Sequence, residues 1–401
     1  MEGCVVRVAL AYSGGLDTTV IIKWLQEKYG AEVITVTVNV GQEEDFGAIA
    51  ERAKLSGALK HYYIDAREKF ANEFIARAIK ANALYEGEYP LTAALSRPLI
   101  AEETVKVALK ENADAVAHGC TGKGNDQIRF ETTFAALAPG IKILAPVREW
   151  NMSRDEEIEY ALSRKLPIHP KKSRFSVDEN LWGRSIEAAE LEDPWLEPPQ
   201  EAFKLVAPLD KAPDKAEEVT IGFEKGVPVS LDGEKLPLTD IIRRLNQIGG
   251  KHGFGIVDHV EDRVVGIKSR EVYEVPAALM LIKAHADLEK MTLGGRHLMF
   301  KQMIDRQWCY MVYAGLWVDP LMDSLNAFID TSQENVTGDV RIKLHKGSAR
   351  IVGRRAEKPV YSVAMATYSR ESTFDQKMAE GFVRIWGLET VLGRAALQKK
   401  E

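Results

Sequence analysis

The 401-residue sequence predicts an α/β protein: a doubly wound parallel-sheet domain, then an α+β domain and a C-terminal helical arm. Three observations predict it. Over residues 5–147, apolar strand-length runs alternate with helix-length runs, the pattern of a parallel sheet covered on both faces. Pro194, Pro198, Pro199, Pro208 and Pro213 then crowd a charged stretch that neither a central strand nor a helix interior could hold. Beyond them, strands and long helices mix without a strand-helix-strand rhythm.

Residues 5–12 (VVRVALAY) read as a buried strand. Leu16 to Tyr29 reads as a helix with Leu16, Val20, Trp24 and Leu25 on one face and Gly30 as its stop. The pattern recurs as strand 32–38, a helix near 45–56, strand 59–65, helices near 67–82 and 99–111, strand 114–118, a helix near 125–137 and strand 141–147. Ser153 and Glu156 outline a capping box that opens one more helix, ending near Leu166-Pro167. Residues 1–167 thus form the first unit. The second unit, 168–370, begins with the proline-rich arm at about 190–215. It continues with strands 219–226 and 227–233, helix 239–248, a glycine-rich stretch 249–255, more strands to about 268, and helices near 275–290 and 320–333. Strands 339–345 and 349–353 flank Lys346-Gly347-Ser348 as a hairpin. In the arm, 371–401, Met378, Phe382, Ile385, Leu388, Leu392 and Leu397 fall on one side of a helix from Phe374 to Lys400. Such a helix either folds back on its own core or packs on another subunit.

Composition excludes disorder, collagen and a disulfide miniprotein, since 45% of residues are hydrophobic and 28% charged. Lys and Arg total 53 against 59 Asp and Glu, a formal charge of −6 with no basic track for nucleic acid. Cys4, Cys120 and Cys309 lack CxxC spacing, which fits a reducing compartment better than a disulfide framework. No segment approaches the ~18 to 20 apolar residues of a membrane span, and the N-terminus lacks a secretory pattern, so the expected place is the cytoplasm.

The sharpest local signal is Ser13-Gly14-Gly15-Leu16-Asp17-Thr18-Thr19, where the first strand gives way to the first helix. Paired glycines let successive N–H groups converge on an anion, and the helix adds unpaired donors and the positive end of its dipole. The hydroxyls of Ser13, Thr18 and Thr19 can add donors, and Asp17 could hold Mg²⁺ or cap the helix. The plainer reading is an ordinary strand-to-helix turn. The loop is neither a Walker A nor a Rossmann motif. It resembles the PP-loop of the N-type ATP pyrophosphatases, which cut ATP between the α and β phosphates, so that the loop would grip the leaving pyrophosphate.

A second signal is His118-Gly119-Cys120-Thr121-Gly122-Lys123-Gly124-Asn125-Asp126, followed by Arg129. It lies at the end of strand 114–118, and ligands of open α/β sheets sit outside the carboxyl ends of strands, so both loops should face one crevice. Arg129 can fork onto a carboxylate. The plainer reading is a solvated helix start with an Asp126–Arg129 pair, worth only ~0.3 to 0.5 kcal/mol.

Together these segments resemble the argininosuccinate synthases, as do Asn39-Val-Gly-Gln-Glu-Glu-Asp45, Ser176-Val-Asp-Glu-Asn-Leu181 with Ser185, Val260-Glu-Asp-Arg263, Lys268-Ser-Arg and Tyr273-Glu274. The resemblance implies an AMP-forming carbon–nitrogen ligase of arginine biosynthesis, using ATP and Mg²⁺, in which the ureido oxygen of L-citrulline is adenylated and the amine of L-aspartate then expels AMP. Carried over by position, Ala11, Tyr12, Ser13, Gly14, Gly15, Leu16, Asp17, Thr18 and Thr19 line the ATP phosphates, with Mg²⁺ held mainly by those phosphates. Val38 meets adenosine through its backbone, and Gly119 lies against the nucleotide. Thr121, Asn125 and Asp126 bind aspartate. Tyr89, Asn125, Arg129, Ser176, Ser185, Glu261 and Tyr273 form the citrulline pocket. Asp17 and Asp126 are the catalytic candidates, Asp126 as a proton acceptor from aspartate. The resemblance also implies a homotetramer joined through the C-terminal arm.

Two departures stand out. Thr19 replaces the usual serine of the loop, and alanines occupy positions 93 and 94, where a small hydroxyl residue is common. Cys120 lacks the nearby second cysteine that sulfur-transferring PP-loop enzymes generally need. His118, Tyr85 and Trp182 read as packing, and Lys171-Lys172 and Arg354-Arg355 as solvated faces. The alternatives are another PP-loop AMP-forming ligase, and a non-catalytic nucleotide or amino-acid sensor on the same fold.

Overall fold

The computed structural model describes residues 6–150, 152–168 and 174–398. Cys4, Val5, Lys171, Lys172 and Lys400 lie outside them. Five strands, β1 (Arg7–Ala11), β2 (Glu32–Asn39), β3 (Lys60–Asp65), β4 (Ala115–Ala117) and β5 (Lys142–Leu144), pair in parallel in the order β3-β2-β1-β4-β5. The chain winds outward one way from β1 and then the other way through β4, so the edges of β1 and β4 meet at the switch point of the sheet. Alternation along β1 supplies both faces: Val8 and Leu10 pack with Ile21, Ile22 and Leu25, while Ala9 and Ala11 pack with Val105, Phe130 and Phe134.

The helix Leu16–Tyr29 has the expected bounds, and Gly30 ends it in the left-handed region at φ 60°. Ser153 and Glu156 form the reciprocal capping box. The helix expected near 99–111 instead begins at Thr92 and runs to Lys110 through Pro98. Proline rules place a break there, but burial of Leu95, Leu99 and Ala101 carries the helix across it.

The remaining strands are β6 (Ser176–Asn180), β7 (Gly183–Glu187), β8 (Glu217–Glu224), β9 (Val227–Leu231), β10 (Glu234–Lys235), β11 (Ile256–Asp262), β12 (Lys268–Glu274), β13 (Gly338–His345) and β14 (Ser348–Ala356). They form two antiparallel sheets, β10-β9-β8-β13-β14 and β11-β12-β7-β6. Gly249 and Gly250, expected in a loop, close the helix Leu238–Lys251. A 19-residue helix, Gly295–Tyr313, stands where no element was expected. The largest buried cluster joins Phe70 and Phe74 of the first half to Trp182, Leu281 and Trp308 of the second.

The arm is two helices, Met378–Trp386 and Leu388–Gln398, neither of which buries a residue. Phe382, Ile385, Trp386 and Leu392 are all exposed, so the arm does not fold back on its own core. Among the described residues no helix is long and apolar enough to cross a membrane.

Candidate active site

The end of β1 is pinned before the glycines. Tyr12 N–H donates to the Val36 carbonyl at 2.9 Å, and Thr37 Oγ1 donates to the Tyr12 carbonyl at 2.7 Å. Gly14 then turns at φ +76°, where a Cβ would lie 2.9 Å from Ile49 Cγ1, so a side chain here meets both a strained backbone and a filled space. Its carbonyl accepts from the Arg52 guanidinium. Gly15 caps the following helix in extended conformation, with no side chain accepting from the first turn, which leaves those N–H groups for an anion. Hydroxyls surround them. Ser13 Oγ lies 3.2 Å from Thr18 Oγ1, and Thr19 Oγ1 lies 3.1 Å from the Tyr12 hydroxyl. The side chains of Ala11 and Leu16 pack inward, so only their backbones face the loop. Val38 is buried near the end of β2, and its carbonyl accepts from Gln42 Nε2 at 3.1 Å.

Asp17 meets a second carboxyl that the sequence reading missed. Glu157, in the first turn of the helix Arg154–Ser163, is 5% exposed. Burial, then hydrogen bonding to Asp17 and its charge, push the Glu157 carboxyl up to about 8.

The loop after β4 touches this one directly: a Cβ on Gly119 would lie 3.0 Å from Thr18 Cγ2. His118 is fully buried, its ring nearly parallel to Phe130 and its Nε2 3.0 Å from Glu131, which matches the packing role. Burial also pushes the Cys120 thiol far up, the opposite of a reactive thiolate. Gln127 Nε2 donates to the carbonyls of Gly122 and Gly124 and fixes the loop, leaving Thr121 exposed at its tip. Asn125 Oδ1 accepts from Val264 N–H at 3.0 Å, bringing the β11–β12 turn onto the loop.

Asp126 is held by two cations. Arg97 Nε donates to one oxygen at 2.8 Å and Arg129 Nη1 to the other at 2.9 Å. Burial alone would raise this carboxyl, but the two guanidiniums outweigh it and hold it at about 2. So low a value does not suit the proton acceptor expected of Asp126, and suits a fixed anion. Arg97, which also reaches Asp178 at 2.9 Å, was not among the expected site residues.

Strand alternation gathers the citrulline candidates of the second half. In the four-stranded sheet, Ser185 stands opposite both Asp178 and Tyr273, Ser176 opposite Glu187, and Glu261 opposite Ser269, all on one face. The other face packs Ile186 and Val272 on Phe175, Leu191 and Ala202. The placement of Ser176 and Ser185 rests on this register. Tyr273 is tied more closely: its hydroxyl donates to Glu261 Oε2 at 2.7 Å and its ring stacks on Tyr89 at 4.3 Å. Thr92 Oγ1 lies 3.2 Å from the Tyr89 hydroxyl, while Ser96 Oγ donates to the Ala93 carbonyl and accepts from Arg97. Arg129 is buried, with Nε and Nη2 both donating to the Tyr313 carbonyl. One N–H then remains on each terminal nitrogen for a ligand.

Two family models match the chain. The arginosuccinate synthase N-terminal HUP domain covers residues 7–167, and the arginosuccinate synthase C-terminal domain covers 175–392. A Pyrococcus furiosus protein named argininosuccinate synthase is 58% identical over 96% of this chain and 94% of its own length. Proteins of the same name from Pyrobaculum aerophilum and Bacillus licheniformis are 53% and 52% identical, over 96% and 98% of this chain and 97% and 98% of theirs.

Proposed function

The chain belongs to the argininosuccinate synthase family, and on that premise we propose that it ligates L-citrulline and L-aspartate into argininosuccinate in arginine biosynthesis, using ATP and releasing AMP and pyrophosphate. The observation that carries the reading is the close approach of Gly119 to Thr18, where no side chain would fit between them. It supports the reading because the glycine loop after β1 and the segment carrying Asn125, Asp126 and Arg129 then lie side by side at the switch point of the sheet. The Ser13–Gly15 backbone and the start of the next helix receive the departing pyrophosphate, and in-line placement with cancellation of developing charge carries the first step. The ureido oxygen of citrulline attacks the α-phosphorus and the bond to pyrophosphate breaks. The aspartate amine then attacks the ureido carbon of the citrullyl adenylate, and AMP leaves with that oxygen.

Asp126, Asn125 and Thr121 hold aspartate. Arg129 and Glu261 hold the carboxylate and ammonium of citrulline, with Tyr89, Tyr273, Ser176 and Ser185 around its chain. Asp17 and the hydroxyls of Ser13 and Thr18 are hard oxygen donors beside the phosphate loop, a donor set that fits Mg²⁺ carried on ATP. Units 1–167, 168–370 and 371–401, a cytoplasmic location and a homotetramer joined through the exposed arm go with this reading. The test is product analysis. ATP, citrulline and aspartate together should yield AMP, pyrophosphate and argininosuccinate, with ¹⁸O from ureido-labelled citrulline recovered in AMP. Release of ADP and orthophosphate refutes the reading.

A further inference from the structure

The two charged groups assigned to citrulline, Arg129 and Glu261, come from different halves of the chain, and one tyrosine outside the assigned set touches both. Tyr313 ends the helix Gly295–Tyr313 and is fully buried. Its hydroxyl donates to Glu261 Oε1 at 2.8 Å, while the Tyr273 hydroxyl takes the other oxygen. Its carbonyl accepts from Arg129 Nε at 3.2 Å and Nη2 at 3.0 Å. Its ring stacks on Tyr85 at 3.5 Å with the planes 6° apart, and the Arg129 guanidinium carbon lies 5.2 Å from the ring centre. The chain then turns at Gly315, φ +76°, where a Cβ would lie 3.0 Å from the Arg129 Cα and N. Backbone meets backbone at this point, so the carbonyl that Arg129 grips cannot drift.

We propose that Tyr313 is a positioning residue for citrulline, fixing the separation between the Arg129 guanidinium and the Glu261 carboxylate and thereby selecting the α-amino-acid end of that substrate. The inference rests on the reading that citrulline lies between these two groups. The carboxylate and ammonium of an α-amino acid sit at one fixed spacing, whereas Arg and Glu are long side chains whose tips spread over many rotamers unless held. Tyr313 holds both at once, one through its carbonyl and one through its hydroxyl. Burial, then the charge of Glu261, push its phenol far up, so the hydroxyl remains a donor at working pH. Tyr85, read from the sequence as packing, fixes the plane of the ring.

The experiment is steady-state pyrophosphate release by the full-length enzyme. Tyr313→Phe keeps the ring, the carbonyl and the stack on Tyr85 and removes only the bond to Glu261. The expected result is a rise of about tenfold or more in KM for citrulline, the loss of one hydrogen bond to a charged group. KM for ATP and aspartate, and kcat, should stay within about threefold, the split expected when ground-state binding of one substrate is lost. An unchanged citrulline KM overturns the proposal, and so does a parallel rise in all three KM values, which marks a structural role. If the phenylalanine variant does not fold, Tyr85→Phe, which loses only the hydroxyl bond to the Asp262 carbonyl, serves as the control for Tyr85→Leu, which also frees the ring of Tyr313. Citrulline KM alone should rise in the leucine variant, and an unchanged value there overturns the proposal equally. Wild-type enzyme that releases no AMP and pyrophosphate with citrulline and aspartate refutes the functional reading instead.

Discussion

Replacing Asp126 by asparagine removes one negative charge from between two guanidiniums. In the native protein Arg97 and Arg129 hold the carboxyl at about 2 against an ordinary 3.8. A depression of 3.8 − 2 = 1.8 corresponds to about 2–3 kcal/mol at ~1.36 kcal/mol per unit. The direction fixes the sign. Below the ordinary value the unfolded chain binds the proton more readily than the folded one, so the stabilisation is fully present above about pH 4 and fades as pH falls through about 2. Urea unfolding should show Asp126→Asn less stable than wild type by about 2–3 kcal/mol at pH 7, with the gap narrowing by pH 3. In the same variant, citrulline-dependent exchange of labelled pyrophosphate into ATP should persist, while argininosuccinate formation falls on the order of 100-fold. A pH-independent stability gap refutes the electrostatic argument. Parallel failure of both half-reactions refutes the assignment of Asp126 to the aspartate step.

Three further outcomes follow from the geometry. Asp17→Asn should abolish pyrophosphate release, measured by a coupled pyrophosphate assay, and an unimpaired variant removes Asp17 from the phosphate site. The raised carboxyl of Glu157 keeps its proton in the fold to higher pH than in the unfolded chain, so its presence lowers stability increasingly as pH rises from about 4.5 to about 8; Glu157→Gln should gain more in melting temperature at pH 8 than at pH 5, and an equal change at both contradicts the raised carboxyl. Deleting 374–401 should convert the proposed tetramer to smaller species by light scattering, whereas an unchanged mass contradicts the role of the arm.

The first half of the fold was legible because its central strands β1, β2 and β4 are buried on both faces and its turns carry their own chemistry. Leu16–Tyr29 has a glycine at each end and an apolar stripe, and both bounds follow. The helix Gly295–Tyr313 escaped because its pattern is inverted: Lys301 and Asp305 are buried as a pair at 2.8 Å, while Met299 and Met303 face outward. Hydrophobic periodicity cannot locate a helix whose core side carries a salt bridge. The phosphate loop and Arg129 could be found as local motifs. Tyr313 and Glu157 could not, since each joins the site from an element distant in sequence, and Arg97 was hidden because the expected helix near 99–111 began after it, whereas the helix starts at Thr92; only the i,i+4 spacing of Lys301 and Asp305 hinted at the helix that delivers Tyr313.

The central claim is that the bend after β1 receives the β and γ phosphates of ATP while the α-phosphate faces citrulline. A crystal structure of the enzyme with ATP and citrulline tests it most directly. The account predicts β and γ oxygens within hydrogen-bond distance of the Ser13–Gly15 backbone and the ureido oxygen in line with the α-phosphorus. A triphosphate lodged elsewhere, or one presenting its γ-phosphorus to citrulline, contradicts it.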